Sequence, residues 1–167
     1  MKDIRQIYSD IYDAFVDKIY RFVFLKVNSQ EVAEDITSET FARCWDKYKN
    51  EHTKIENPQA FLYQIARNLI IDHYREKGRT QFVSIESLPI LDPRSTLEEE
   101  AAKTSDIDNI KTVLANLKDD YREVIILHYI EDIPVPEIAK ITGKSEGAVR
   151  VTLHRALELL RNQIKQA

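Results

Sequence analysis

The segment PVPEIAKITGKSEGAVRVTLHRALELLR, from Pro134 to Arg161, constrains the fold more than any other part of the chain. Ile138 and Ala139, with Ile141 beside them, give a short helix over Pro134 to Thr142 its buried side, and Pro134 or Pro136 fits the first turn. Gly143 supplies the left-handed backbone conformation that a tight turn needs. Ser145 caps a longer helix that runs to about Ile164. A short helix, a glycine turn and a longer helix make the helix-turn-helix pattern. At about 100° per residue, Val149, Leu153, Ala156, Leu160 and Ile164 share one stripe of the second helix, which must face a core. The opposite side carries Gly147, Val151, His154, Arg155 and Glu158, with Arg150 at its edge. A major groove roughly 12 Å wide admits one helix, so that outward face can meet base edges. Arginine suits guanine and phosphate, and the unpaired donors of the helix N-terminus suit phosphate. A basic amphipathic helix alone is more often a solvated packing helix; the short helix and glycine turn before it favour DNA binding.

The rest of the chain also reads as helix. Glycine (three) and proline (five) are scarce among 167 residues, which disfavours turn-rich sandwiches and barrels. Ile4, Tyr8, Ile11, Phe15, Ile19 and Phe22 recur at helical spacing. Asn28 with Glu31 forms a capping-box pattern for a second helix that buries Ala33, Ile36, Thr40, Cys44 and Tyr48, with Phe41 and Trp45 on its flank. Asn57 followed by Pro58 starts a third helix, with Leu62, Ile65, Ala66, Leu69 and His73 on its apolar face. That helix closes on Arg75, Lys77, Gly78 and Arg79, bases where its dipole favours them. Residues 80–104 lose this period and carry prolines, serines and an acidic run, a linker composition. Beyond it, Ile107, Ile110, Val113, Leu114 and Leu117 mark one helix from near Ser105. A second, after an Asp119 cap, buries Val124, Ile125, Leu127 and His128 or Tyr129. The expected fold is all-α: a helical domain over 1–79, a linker over 80–104, and a four-helix domain over 105–167.

Composition narrows the function. The single cysteine, Cys44, excludes an internal disulfide framework and fits a reducing compartment, with Cys44 itself an inert core thiol. No apolar run approaches the roughly 18 residues that span a bilayer, and MKDIRQIYSD has no signal-peptide core. A soluble, cytoplasmic protein is expected. The net charge of −4 argues against indiscriminate coating of nucleic acid. Charge is uneven, however. From Lys140 onward there are six Lys/Arg and two acids, whereas Thr104 to Ala139 holds eight acids and three bases. Screening confines such fields to roughly 10 Å, so nucleic acid would be held by small patches. The four histidines, His52, His73, His128 and His154, lack metal-ligand spacing, and no HExxH, glycine-rich phosphate loop or nucleophile motif is present. An enzyme is disfavoured, and no cofactor or metal is expected.

Two blocks resemble the extracytoplasmic-function (ECF) group of bacterial sigma-70 factors. One is LKDDYREVIILHYIEDIPVPEIAKITGKSEGAVRVTLHRALELLR; the other is VAEDITSETFARCWDKY followed by ENPQAFLYQIARNLIIDHYR. The resemblance covers nearly the whole chain in the expected order. It implies an alternative sigma factor that directs core RNA polymerase to promoters. The C-terminal domain would bind the minus-thirty-five element through Lys144, Ser145, Glu146, Gly147, Arg150, His154 and Arg155. On the third helix, Arg67, Asn68, Asp72 and Arg75 match the minus-ten region. Phe61 and Tyr63 stand near its start as base-stacking candidates, though aromatics at this spacing also serve as core. The loop Lys49 to Asn57 matches the place where a flipped base would be read. Glu34, Asp35, Ser38, Glu39 and Asp46 share one polar face of the second helix, whose family counterpart docks on the coiled coil of the largest polymerase subunit. Where Ser38 stands, the family often has glutamine. An anti-sigma protein would cover these same surfaces in the held state. The nearest rival is an ordinary helix-turn-helix regulator, which predicts a ligand-binding, receiver or strong dimerisation element; none is visible.

Overall fold

The computed structural model describes residues 3–51, 55–80 and 111–166, all of whose regular elements are helical. The first three are α1 (Ile4–Val27), α2 (Gln30–Glu51) and α3 (Pro58–Thr80), which pack on one another. Their boundaries are set by local chemistry. Asn28 adopts the left-handed conformation (φ 52°) that ends α1, its N–H bonding to the Phe24 carbonyl. Ser29 then opens α2, its Oγ accepting from Val32 N–H at 3.3 Å. The expected cap at Asn28 is thus displaced by one residue, because asparagine tolerates the left-handed stop better than serine does. Asn57 caps α3 as expected, accepting from Ala60 N–H at 3.1 Å, with Pro58 in the first turn.

The apolar stripes close a core around Ile19, Phe22, Ala33, Ile36, Phe41, Cys44, Leu62 and Ala66. A fully buried Phe22 alone contributes about 1.5–3 kcal/mol of transfer free energy. Burial pushes the Cys44 thiol up to about 11, so it stays protonated and inert at neutral pH. Helix α3 departs from its expected single face. Tyr63 and Ile70 are buried, while Ile65, Leu69 and His73 are only partly so. The reason is a second neighbour that covers its far side.

That neighbour is the C-terminal domain. Residues 111–115 are helical and lead through buried Leu114 and Leu117 into α4 (Asp119–Ile125). Val113 is half-buried, and Ile107 and Ile110 lie outside the described residues. The cap position of α4 is Lys118, with Asp119 in the first turn. Helix α4 continues as a π turn over Ile126–Ile130 and stops at Asp132, another left-handed residue. Leu127 is buried, His128 is half-buried and Tyr129 is exposed. Then come α5 (Val135–Thr142) and α6 (Glu146–Gln166), joined by Gly143 at φ 72°. Of the linker expected over 80–104, Thr80 belongs to α3 and the remainder lies outside the described residues, as does the start near Ser105.

Nothing lies within 4 Å of a Cβ added to Gly143, so substitution there acts through the backbone alone. Gly143→Ala should destabilise the chain by about 1 kcal/mol, a fall of roughly 2–4 °C in Tm. Thermal melts followed by circular dichroism check this.

Candidate DNA and polymerase surfaces

The helix-turn-helix presents its outward face as a continuous exposed surface. Ser145 Oγ accepts from Ala148 N–H at 3.1 Å and fixes the start of α6. From there Val149, Leu153 and Ala156 are buried against α4 and α5, and Leu160 is half-buried. The side chain of Ile164 falls outside the described residues. Ser145, Glu146, Gly147, Arg150, His154 and Arg155 are all exposed, together with Val151 at 50%. Lys144 is half-buried and lies 3.6 Å from Asp120. Two pairs run along the helix, Arg150 to Glu146 at 3.5 Å and His154 to Glu158 at 3.1 Å. Exposed pairs of this kind are weak and give way to a better partner. Six of the seven expected residues therefore share one open face, with an arginine at each end of its central turns.

The acidic set on α2 is equally open. Glu34, Asp35, Ser38, Glu39 and Asp46 are exposed, opposite buried Ala33, Ile36, Thr37, Thr40, Phe41, Cys44 and Tyr48. Gln30 donates to Glu34 at 3.1 Å, and Glu39 pairs with Arg43 one turn on at 3.1 Å. The face carries four carboxylates over four turns and suits a basic partner.

The minus-ten set divides. Asn68, Asp72 and Arg75 are exposed on α3. Phe61 is half-buried, with the Lys47 ammonium 6.0 Å from its ring. Tyr63 is 1% exposed, its ring edge-on to Phe22 and its hydroxyl donating to Glu131 at 2.9 Å. The stacking role expected for Tyr63 does not fit this arrangement, since no base can reach its ring. Arg67 is drawn into an ion pair with Glu123 at 2.6 Å. In the loop ahead, Lys49 belongs to the last turn of α2 and 52–54 lie outside the described residues. Asn57 bonds both the start of α3 and Glu137 of α5, the latter at 2.7 Å.

What covers Tyr63 and Arg67 is a network that sequence reasoning missed. Lys26 on α1, almost fully buried, reaches Glu123 on α4 at 2.6 Å and Asp119 at 3.4 Å. Arg67 holds the other oxygen of Glu123. Arg21 makes two bonds to Glu131, both at 2.7 Å, beside the Tyr63 hydroxyl. Gln64 donates to the Lys140 carbonyl at 2.8 Å. On an unbroken α-helix two residues eight apart would point about 80° away from each other. The wider π turn at Ile126–Ile130 takes back much of that angle and aims Glu131 toward the same partner surface as Glu123. The one available signal was Lys26, which continues the apolar stripe Ile11, Phe15, Ile19, Phe22 as a charged residue.

Burial would push the Glu123 carboxyl up, but Lys26 and then Arg67 outweigh it and hold the group below its ordinary value of 4.5. A depressed carboxylate pKa contributes stability that is present above 4.5 and lost as pH falls through the depressed value. The groups facing it are Lys26, Arg67 and, through Lys26, Asp119. Melting temperatures taken from pH 7 downward should therefore fall more steeply below about pH 5 for the native chain than for Glu123→Gln. The Tyr63 hydroxyl is pushed up by burial and by Glu131, so it remains a donor throughout. Among the described residues no cluster could hold a metal ion, and no helix is long and apolar enough to cross a membrane.

Comparison with known proteins adds the family. Residues 11–80 match sigma-70 region 2, and residues 107–160 match sigma-70, region 4. The ECF RNA polymerase sigma factor SigW of Bacillus subtilis is 32% identical over 171 residues, covering 95% of this chain and 89% of that protein. BldN, an ECF sigma factor of Streptomyces coelicolor, is 28% identical; the match spans 90% of this chain but only 57% of BldN. Among solved structures, the sigma factor RpoE of Bartonella quintana, in complex with the anti-sigma factor NepR, aligns with a TM-score of 0.74. That alignment covers 99% of this chain and 98% of RpoE at 24% identity. CnrH, solved with the cytosolic domain of CnrY, gives 0.70 at 20% identity, over 97% and 90% of the two chains. At these identities the shared property is the fold.

Proposed function

The chain belongs to the extracytoplasmic-function group of RNA polymerase sigma factors, and from that premise we propose how its surfaces divide the work of initiation. It binds core RNA polymerase and directs it to particular promoters. The C-terminal domain grips the duplex minus-thirty-five element with Ser145, Glu146, Gly147, Arg150, His154 and Arg155, and with Lys144 at the turn. The N-terminal domain docks on a basic coiled coil of the largest polymerase subunit through Glu34, Asp35, Ser38, Glu39 and Asp46. Its α3 surface, Phe61, Asn68, Asp72 and Arg75, with Arg67 once released, meets the separated minus-ten strands. Such strands are held by stacking and a cationic groove, each stack worth roughly 1–3 kcal/mol.

The chain performs no chemistry of its own; polymerase supplies it, in the cytoplasm. No cofactor is required. An anti-sigma protein is the expected regulator, because RpoE and CnrH were each solved with a protein partner and the exposed faces here are the ones such a partner would cover.

The observation that carries this reading is one chain with two separate open faces: a recognition helix set by Ser145 and an acidic face on α2. A regulator that acts alone needs the first and has no use for the second. Run-off transcription tests it, with purified core polymerase, genomic fragments, and the chain present or absent. Transcripts with defined starts should need both proteins. Their absence, with tight sequence-specific binding by the chain alone, would establish the ordinary regulator instead.

A further inference from the structure

The outward face of α6 carries one side chain unlike its polar neighbours. Val151 is 50% exposed and stands apart from the core that Val149, Leu153 and Ala156 join. At about 100° per residue it lies roughly 160° around the helix from Leu153 and roughly 140° from Ala156. It therefore forms the crest of the face turned away from the domain. We propose that Val151 is a specificity-determining residue, which presses its methyl groups on the 5-methyl group of a thymine in the minus-thirty-five element. The proposal rests on reading α6 as the helix that enters the major groove, and it names a base where that reading names only a surface.

Position is the first observation that carries it. A lone exposed valine is common on protein surfaces, but this one stands among exposed Arg150, His154, Arg155 and Glu158. The fold gives little in return for it, since a β-branched residue is a poorer helix former than alanine and half of this one stays in water. Chemistry is the second. The side chain has neither donor nor acceptor, so it can bond neither a phosphate nor a base edge. What it complements in a major groove is the methyl group of thymine. Thr152 beside it also carries a methyl, but it is half-buried and its hydroxyl is turned back on the helix, donating to the Ala148 carbonyl at 2.8 Å. Access is the third. Gly147 lies one turn ahead, within about 40° of Val151 around the helix. A Cβ added there meets nothing within 4 Å, and the glycine that needs a left-handed backbone is Gly143. Neither packing nor backbone geometry therefore demands glycine at 147. Without a side chain it lets the first turn of α6 approach DNA closely, which brings Val151 in the second turn down to the bases.

Deoxyuridine scanning tests this, because it removes the thymine methyl and leaves the base pair intact. Duplexes are first selected from a random library, once with holoenzyme assembled from core polymerase and the full-length chain and once with the full-length chain alone. Each thymine of the selected minus-thirty-five element is then replaced in turn. With the native chain, one replacement should weaken binding by about fourfold, the worth of one methyl group returned to water. Val151→Ala should lose about as much on the unmodified duplex and show no further loss on deoxyuridine at that position. Val151→Ile, which keeps a branched methyl, should retain the native sensitivity. Arg150→Ala should bind more weakly overall and still respond to the missing methyl. If the losses from Val151→Ala and from deoxyuridine add at every thymine, Val151 touches no methyl group and the proposal is overturned. Should the holoenzyme select no duplex while the chain alone does, the sigma-factor reading fails and the same scan on the chain's own duplexes still decides the role of Val151. Selection by neither would mean that α6 is not a recognition helix, and the proposal falls with it.

Discussion

Replacing Asp35 and Glu39 together by lysine should remove the chain from core RNA polymerase while leaving it folded. Both side chains are exposed on the face of α2 opposite the core formed by Ala33, Ile36, Thr40 and Cys44. Neither contributes to packing. Glu39 pairs with Arg43, and both side chains are about half exposed, so the loss of that pair costs little. Against a basic coiled coil the reversal does more than delete two attractions. It sets like charges opposite each other, which costs several kcal/mol, and about 3 kcal/mol is roughly a hundredfold in affinity. Co-purification with core polymerase reads the loss, and an unchanged Tm shows that the fold has survived. If the doubly reversed chain still co-purifies in full, the docking face is elsewhere. The effect should also shrink at high salt, since screening weakens exposed charge interactions between native partners.

Much of the N-terminal domain was legible because its helices obey local rules. Asn57 and Pro58 place a helix start without reference to anything distant, and the stripe from Ile11 to Phe22 faces a core wherever that core lies. The helix-turn-helix was legible for the same reason. Gly143 and Ser145 act within a few residues of themselves, and the exposure of Arg150, His154 and Arg155 follows from the burial of Val149 and Leu153.

What periodicity could not show is that α3 has neighbours on two sides. Tyr63 and Ile70 look like flank positions in a three-helix domain but are buried in the structure, Tyr63 between Phe22 of its own domain and Glu131 of the other. The same limit hid the interdomain network. Lys26 and Glu123 lie 97 positions apart, and Arg21 and Glu131 lie 110 apart, so no local pattern links them. A charged residue in an apolar stripe is a sign that a partner exists, but which partner depends on the docking of two domains. The π turn compounds this, because it breaks the regular angle that would have located Glu131 relative to Glu123.

Arg150→Ala and Arg155→Ala should each weaken promoter binding by about 1–3 kcal/mol, roughly ten- to a hundredfold, with core-polymerase binding intact. Both arginines stand on the exposed side of α6, away from the stripe of Val149, Leu153 and Ala156, so truncation leaves the packing of the helix unchanged. Arg150 must give up its pair with Glu146 to meet DNA, but that pair is exposed at 3.5 Å and is easily surrendered. Salt dependence then separates the two possible roles for each residue. Loss of a phosphate contact lowers the slope of log affinity against log salt by about one and weakens all promoters alike. Loss of a base contact leaves the slope nearly unchanged and relaxes the choice of base at one position. Arg150 lies in the second turn of α6, nearest the end that enters the groove, and should show base-contact behaviour; Arg155, more than a turn further on, should show phosphate behaviour. Gel-shift titrations with assembled holoenzyme, run at several salt concentrations on native and single-base-changed promoters, distinguish these outcomes. Equal loss of polymerase binding in either variant would mean that this face of α6 is not a dedicated DNA surface.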